Sequence, residues 1–159
     1  MSSSRTLIVG IGSPHGDDQA GWLVALGLAS EIRPRDIDVR QASSPVQLLD
    51  WLSGIEQLVI CDACRGLGGV GNVRRWYWPA RELADAEWSG THDFSVPAVL
   101  DLAESLGQRP RHVVIWTVEG NPRGALAPLS PEVADAIPNM VQWIISDLRA
   151  TTPCTNSHS

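Results

Sequence analysis

Short apolar runs, bounded by glycine, proline or polar residues, alternate with helix-patterned segments along this chain. That alternation leads to strands laid side by side, with helices covering the faces of the sheet. Thr6 to Ile11 reads as a buried strand. Gln19 to Ser30 follows with Ala20, Leu23, Val24, Leu26 and Leu28 at helical spacing. Ile37 to Ala42 alternates as a strand, and Ser43 or Ser44 caps a short helix that begins at Pro45. Gln57 to Asp62 is a strongly apolar strand, followed by a glycine-rich loop from Arg65 to Asn72. Val73 to Trp78 alternates again, and Pro79 to Glu87 reads as a short helix or turn.

A polar loop, Ser89 to Asp93, leads into a helix from Ser95 to Leu106, with Pro97 in its first turn. His112 to Val118 is the last strand, and Glu119 to Leu129 is a loop rich in glycine and proline. Ser130 caps a final helix that starts at Pro131 and runs to about Arg149. Pro138 is expected to kink or split that helix. The expected architecture is a three-layer α/β/α domain over residues 1–150, with a central, mostly parallel, mixed sheet of about five strands. A polar tail, residues 151–159, is expected to be disordered.

In sheets of this kind, sites form at the C-terminal ends of the strands. The segments after Ile11, after Ile60 and after Val118 should therefore gather on one edge. The first of these is Gly10-Ile11-Gly12-Ser13-Pro14-His15-Gly16-Asp17-Asp18-Gln19-Ala20-Gly21. Its glycines suggest a phosphate cradle, but two adjacent carboxylates would repel an anion. An acid-bearing loop suits a cation.

Composition narrows the function classes further. With a formal charge of −6, nucleic acid is an unsuitable partner. All 12 basic residues are Arg, so no P-loop lysine and no lysine nucleophile is available. No apolar run reaches the ~20 residues that cross a bilayer, and no secretory signal pattern opens the chain. Three cysteines, Cys61, Cys64 and Cys154, do not make a disulfide framework. The expectation is a monomeric cytoplasmic protein.

Each candidate residue has a plain structural role to set against a chemical one. Asp17 and Asp18 stand at a helix start, where acids also cap and complement the helix dipole. Asp62 ends a buried strand at the working edge, and its plain role is to bind the glycine loop that follows. His92 precedes a helix in a loop, where Thr91 or Asp93 is available as the cap. Asp18, Asp62 and His92 together form a two-carboxylate, one-imidazole set, which suits a borderline divalent metal such as nickel or zinc. Cys61 and Cys64 make a CxxC, but Arg65-Gly66-Leu67-Gly68-Gly69 is a poor helix start for a thioredoxin-like pair. Cys61 is expected in the core. His15 is expected to be a solvated loop residue, and Glu119 to line the same edge. His112 and His158 have no expected role. Trp22 and Trp88, near loops, are candidate partner contacts.

In order along the chain, these features resemble the hydrogenase maturation proteases, which process the large subunit of nickel–iron hydrogenases. The resemblance runs from Leu7 to about Leu148. It rests on the glycine loop with its acidic pair, on Leu58-Val59-Ile60-Cys61-Asp62-Ala63, and on His92-Asp93-Phe94-Ser95 leading into Ala98 to Ala103. It rests also on Glu119-Gly120 through Leu129-Ser130-Pro131-Glu132-Val133. The resemblance implies that Asp18, Asp62 and His92 contact nickel already loaded into the precursor. It implies that the chain then removes a C-terminal extension from that precursor.

Three positions depart from the family pattern. Ser13 stands where Asn is usual, the loop between Gly12 and Asp17 is one residue shorter, and Gln19 replaces a common Gly. The spacing to Gly21 places the ligand role on Asp18 and leaves Asp17 as a cap or supporting acid. The metal is expected to arrive with the substrate, although another divalent ion could bind the isolated protein. The competing readings are a non-catalytic metal-sensing assembly factor and a nucleotide- or phosphate-binding α/β module.

Overall fold

A computed structural model describes residues 5–32, 37–88, 94–123 and 126–150. Strand β1 spans Thr6–Ile11 and is followed by a 3-10 turn, Gly16–Gln19, that feeds helix α1, Ala20–Glu31. β2 (Ile37–Ala42) lies parallel to β1 on one side. A 3-10 helix, Pro45–Asp50, then leads to β3 (Gln57–Arg65), parallel to β1 on its other side. β4 (Val73–Tyr77), a 3-10 turn (Arg81–Asp85), the two-residue β5 (Glu87–Trp88) and α2 (Val96–Ser105) precede β6 (His112–Glu119). Helix α3, Pro131–Ala150, closes the chain's described part.

The sheet order is β2-β1-β3-β6-β4, and β5 pairs separately with β3. β6 is parallel to β3, while β4 and β5 are antiparallel to their partners. The sheet is thus mixed and mostly parallel, as expected. Its sixth strand is the short β5, which begins at the last residue of the segment expected to be a helix or turn.

Alternation along the strands builds the two outer layers. Ile8, Val59, Cys61, Val114 and Trp116 pack toward α1 and α3, with Val24, Leu28, Met140 and Ile144. Leu7, Val9, Leu58, Ile60 and Ile115 pack toward α2 and the 45–50 helix, with Leu48, Val99 and Leu100. β3 is central and buried along all but its two end residues. A strand covered on both faces takes a near-continuous apolar run, which is why it was legible.

The caps form where the residue types require. Ser44 Oγ accepts a hydrogen bond from the Val46 N–H, and Gln47 Oε1 accepts from the Ser44 N–H, completing a capping box around Pro45. Ser95 accepts from the Ala98 N–H at 3.2 Å and starts α2. Two expectations change. β3 runs three residues beyond Asp62, taking in the whole Cys61–Cys64 motif. α3 is one continuous element with Pro138 inside it. The carbonyl of Ala134, which loses its usual donor, belongs to a solvent-exposed residue, and Val133, Ala136, Met140 and Val141 pin the opposite face to the core. Residues 151–159 lie outside the described residues.

Candidate functional site

The C-terminal ends of β1, β3 and β6 do gather on one edge, through a small number of side chains. After β1 the chain must turn sharply into α1. A Cβ on Gly10 would lie 2.0 Å from the Gly21 carbonyl oxygen, and one on Gly21 would lie 2.1 Å from the Ile11 carbonyl oxygen. A Cβ on Gly12 would meet the Asp18 carbonyl oxygen at 2.2 Å. These glycines bring backbone against backbone. The space that a phosphate would need is filled by the chain itself. The loop's own N–H groups are spent likewise: Gly12 donates to Ala42, Ser13 to Asp18, and Asp18 to His15. This geometry removes the physical basis of the phosphate-cradle reading.

Asp17 does not cap α1. It is fully buried, and its carboxylate reaches across the edge to the start of α3. Oδ1 accepts from the Ser130 N–H at 2.7 Å, and Oδ2 accepts from the Ser130 hydroxyl at 2.8 Å and the Asn121 N–H at 2.7 Å. One carboxylate therefore ties the first loop to the β6–α3 connection.

Asp18 lies beside it, 8% exposed. Its Oδ1 accepts a hydrogen bond from Arg65 Nη2 at 2.8 Å. Arg65, the last residue of β3, is held from its other side, where Nε donates to the Asn121 carbonyl at 2.8 Å. Arg65 is a site residue that the sequence reading passed over as a loop start. Its only signal was a basic residue three positions after a strand-ending aspartate.

Asp62 is 1% exposed within β3 and pairs in register with Thr117 of β6. Strand alternation puts it on the side of the sheet that packs against α2, opposite the side of Cys61 and Ala63. Glu119, expected only to line this edge, binds the glycine loop. Glu119 Oε2 accepts from the Gly66 N–H at 2.7 Å and Oε1 from the Leu67 N–H at 3.1 Å. Gly120 and Gly71 complete the seam, donating to the Cys64 and Glu119 carbonyls.

His92 lies outside the described residues, between Trp88, which pairs with Cys64, and the start of α2. Among the described residues no group of three or more His, Cys, Asp or Glu side chains is arranged to hold a metal ion. His15 is exposed, as expected. Trp22 donates to the Ala42 carbonyl and Trp88 to the Leu83 carbonyl, so both indoles are part of the fold.

Cys61 and Cys64 are both buried and reduced. Three residues apart on one strand, their Cα atoms are about 10 Å apart, beyond disulfide reach. Burial pushes the Cys64 thiol up to about 12, with the nearby Glu119 carboxylate adding to it. Burial, and then Asp62, raise the Cys61 thiol further. Neither is a nucleophile at neutral pH.

No helix among the described residues is long and apolar enough to cross a membrane. No curated protein sequence matches the chain. In solved structures the fold recurs. The chain is similar to the hydrogenase maturating endopeptidase HybD from E. coli, at TM-score 0.71 and 19% identity, over 92% of this chain and 93% of that one. It is similar to the [NiFe] hydrogenase maturation protease HycI from Thermococcus kodakarensis KOD1, at TM-score 0.69 and 20% identity, over 92% and 93%. It is also similar to a hydrogenase 2 maturation peptidase from Thaumarchaeota archaeon SCGC_AB-539-E09, at TM-score 0.65 and 25% identity, over 91% and 98%. The sequence model of a family described as HycI, hydrogenase maturation protease, matches residues 41–147, a span that includes Asp62 and His92 and begins after Asp18. The chain belongs to the hydrogenase maturation protease family, whose members are endopeptidases.

Proposed function

We propose that this chain removes the C-terminal extension of a nickel-loaded nickel–iron hydrogenase large-subunit precursor, with Asp18, Asp62 and His92 contacting the precursor's nickel. The observation that supports this most is Asp62: a carboxylate 1% exposed, at the working end of the central strand, inside the family match. A buried carboxylate there is costly unless it serves a cation or a strong donor. Asp18, paired with Arg65 from the end of the same strand β3, stands at the same sheet edge as Asp62. The nickel is part of the substrate, and its presence signals that the precursor is ready.

In this reading the chain's own residues do three things. Asp62 and Asp18 supply oxygen ligands, and His92 supplies an imidazole nitrogen. The backbone N–H groups of Gly12, Ser13 and Gly120 tie the loops of that edge together, donating to the Ala42, Asp18 and Cys64 carbonyls. The acids also draw a cationic centre to the edge before docking. Metal that arrives with the substrate can polarise the scissile carbonyl or acidify a water. The protein would act in the cytoplasm, as a monomer.

The experiment is a processing assay on nickel-loaded and nickel-free precursor, read as the mass of the C-terminus. Cleavage of the loaded form alone supports the proposal. Asp62→Asn and His92→Ala should both fold and both fail to cleave. Continued cleavage by both variants would remove the three-ligand reading. A folded wild-type protein that binds cognate precursor and cuts neither form would favour a metal-sensing assembly factor.

A further inference from the structure

The Arg65–Asp18 pair is an unusual neighbour for a metal-contacting carboxylate. The two side chains are 13% and 12% exposed, and their 2.8 Å contact is largely out of water. At that burial the attraction is much less screened than in a surface pair. The guanidinium is planar and permanently charged, and it is fixed at a second point by the Asn121 carbonyl. Asn121 is itself fixed by Asp17 through its N–H. The chain of contacts Asp17, Asn121, Arg65, Asp18 thus runs from the buried anchor of α3 to the candidate ligand.

We propose that Arg65 is a charge latch on Asp18, a positioning residue that keeps this carboxylate from binding free divalent metal ions. This rests on the reading of Asp18 as a metal contact. A lone pair that accepts from a guanidinium is not offered to a cation, and a metal ion on the same carboxylate would stand within a few ångströms of the positive guanidinium. A free aqueous ion brings nothing to offset that repulsion. A docked precursor does, because its carbonyl or carboxylate groups can accept the displaced guanidinium while its nickel takes Asp18. The latch so restricts the site to metal that arrives inside a protein substrate. Arginine does not titrate near neutral pH, so the latch opens by exchange of partners and not by loss of charge.

The test is calorimetric titration of Ni²⁺ alone and Zn²⁺ alone into the full chain, with no precursor. Wild type, Arg65→Met and the double variant Arg65→Met with Asp18→Asn are compared, each checked for fold by circular dichroism. Arg65→Met should bind about tenfold tighter or more, and the double variant should lose that gain. Should Arg65→Met not fold, Arg65→Gln is measured in its place, with the same expectation. Equal affinity in wild type and variant, with Asp18→Asn unable to process precursor, overturns the latch and leaves the function reading standing. Equal affinity, with Asp18→Asn and Asp62→Asn both processing normally, overturns the reading of the site and the latch with it. A gain that survives Asp18→Asn also overturns the latch, because the metal is then held elsewhere.

Discussion

Asp17 and Ser130 stand 113 residues apart in the chain, and both the backbone N–H and the hydroxyl of Ser130 donate to the one Asp17 carboxylate. Ser130 is the residue before α3, so an acid from the first loop sets where the last helix begins. Loss of this anchor leaves the Ser130 and Asn121 N–H groups without their acceptor in a buried place. Asp17→Ala is expected to destabilise the fold by about 3 kcal/mol or more, measured by urea denaturation. A loss under about 0.5 kcal/mol would show that the anchor is dispensable.

The Gly10–Gly21 crossing tolerates no side chain. Gly21→Ala is expected to be worse than ordinary core overpacking, at about 3 kcal/mol, because the obstructing atoms are backbone carbonyls and not flexible side chains. Gly54→Ala is the comparison: its added Cβ meets nothing within 4 Å, although its φ of +78° still imposes some strain. Similar melting temperatures for the two variants would refute the close-packing argument.

The two buried thiols give a pH dependence with a definite sign. Their pKa values are raised on folding, so the folded state keeps protons that the unfolded state releases above about 9, the ordinary thiol value. Stability should therefore fall as pH rises through and beyond 9, by about 1.4 kcal/mol per pH unit for each thiol. A double variant, Cys61→Ala with Cys64→Ala, should lose that slope. In the wild type, a thiol reagent at pH 8 should label neither cysteine until denaturant is added. Fast labelling of Cys61 or Cys64 in the native protein, told apart from Cys154 by peptide mass, would contradict their burial.

Glu119 grips the glycine-rich loop by two N–H groups, of Gly66 and Leu67. Glu119→Ala is expected to speed hydrogen exchange at these two amides by at least about tenfold while leaving the exchange of β1 unchanged. Unaltered exchange would mean that the loop is held by other contacts.

Much of this architecture was legible in the residues. The five main strands were found because β1, β3 and β6 are buried apolar runs and β2 and β4 alternate, and β3, covered on both faces, is the plainest of them. Ser44 marked a helix start because its side chain supplies the missing acceptor at a known offset, and Ser95 caps α2 in the same way where Thr91 or Asp93 was the expected cap. β5 was missed because two residues carry no period. The length of β3 was misjudged because Cys64 and Arg65 looked like the beginning of a glycine loop.

The site divides the same way. The sequence by itself determined the order of strands and helices, the edge where acids would collect, and the absence of any basic phosphate cradle, because these follow from local periodicity and charge. Only the tertiary structure decided what each acid at that edge does. Asp17 and Asp18 are adjacent and chemically identical. One is an anchor for α3 and the other pairs with Arg65, because β1, β3 and β6 bring different partners to the two carboxylates across 47 to 113 residues of chain. No local pattern encodes such partners. Their identity depends on which strand lies beside which, and that is settled only when the sheet is assembled.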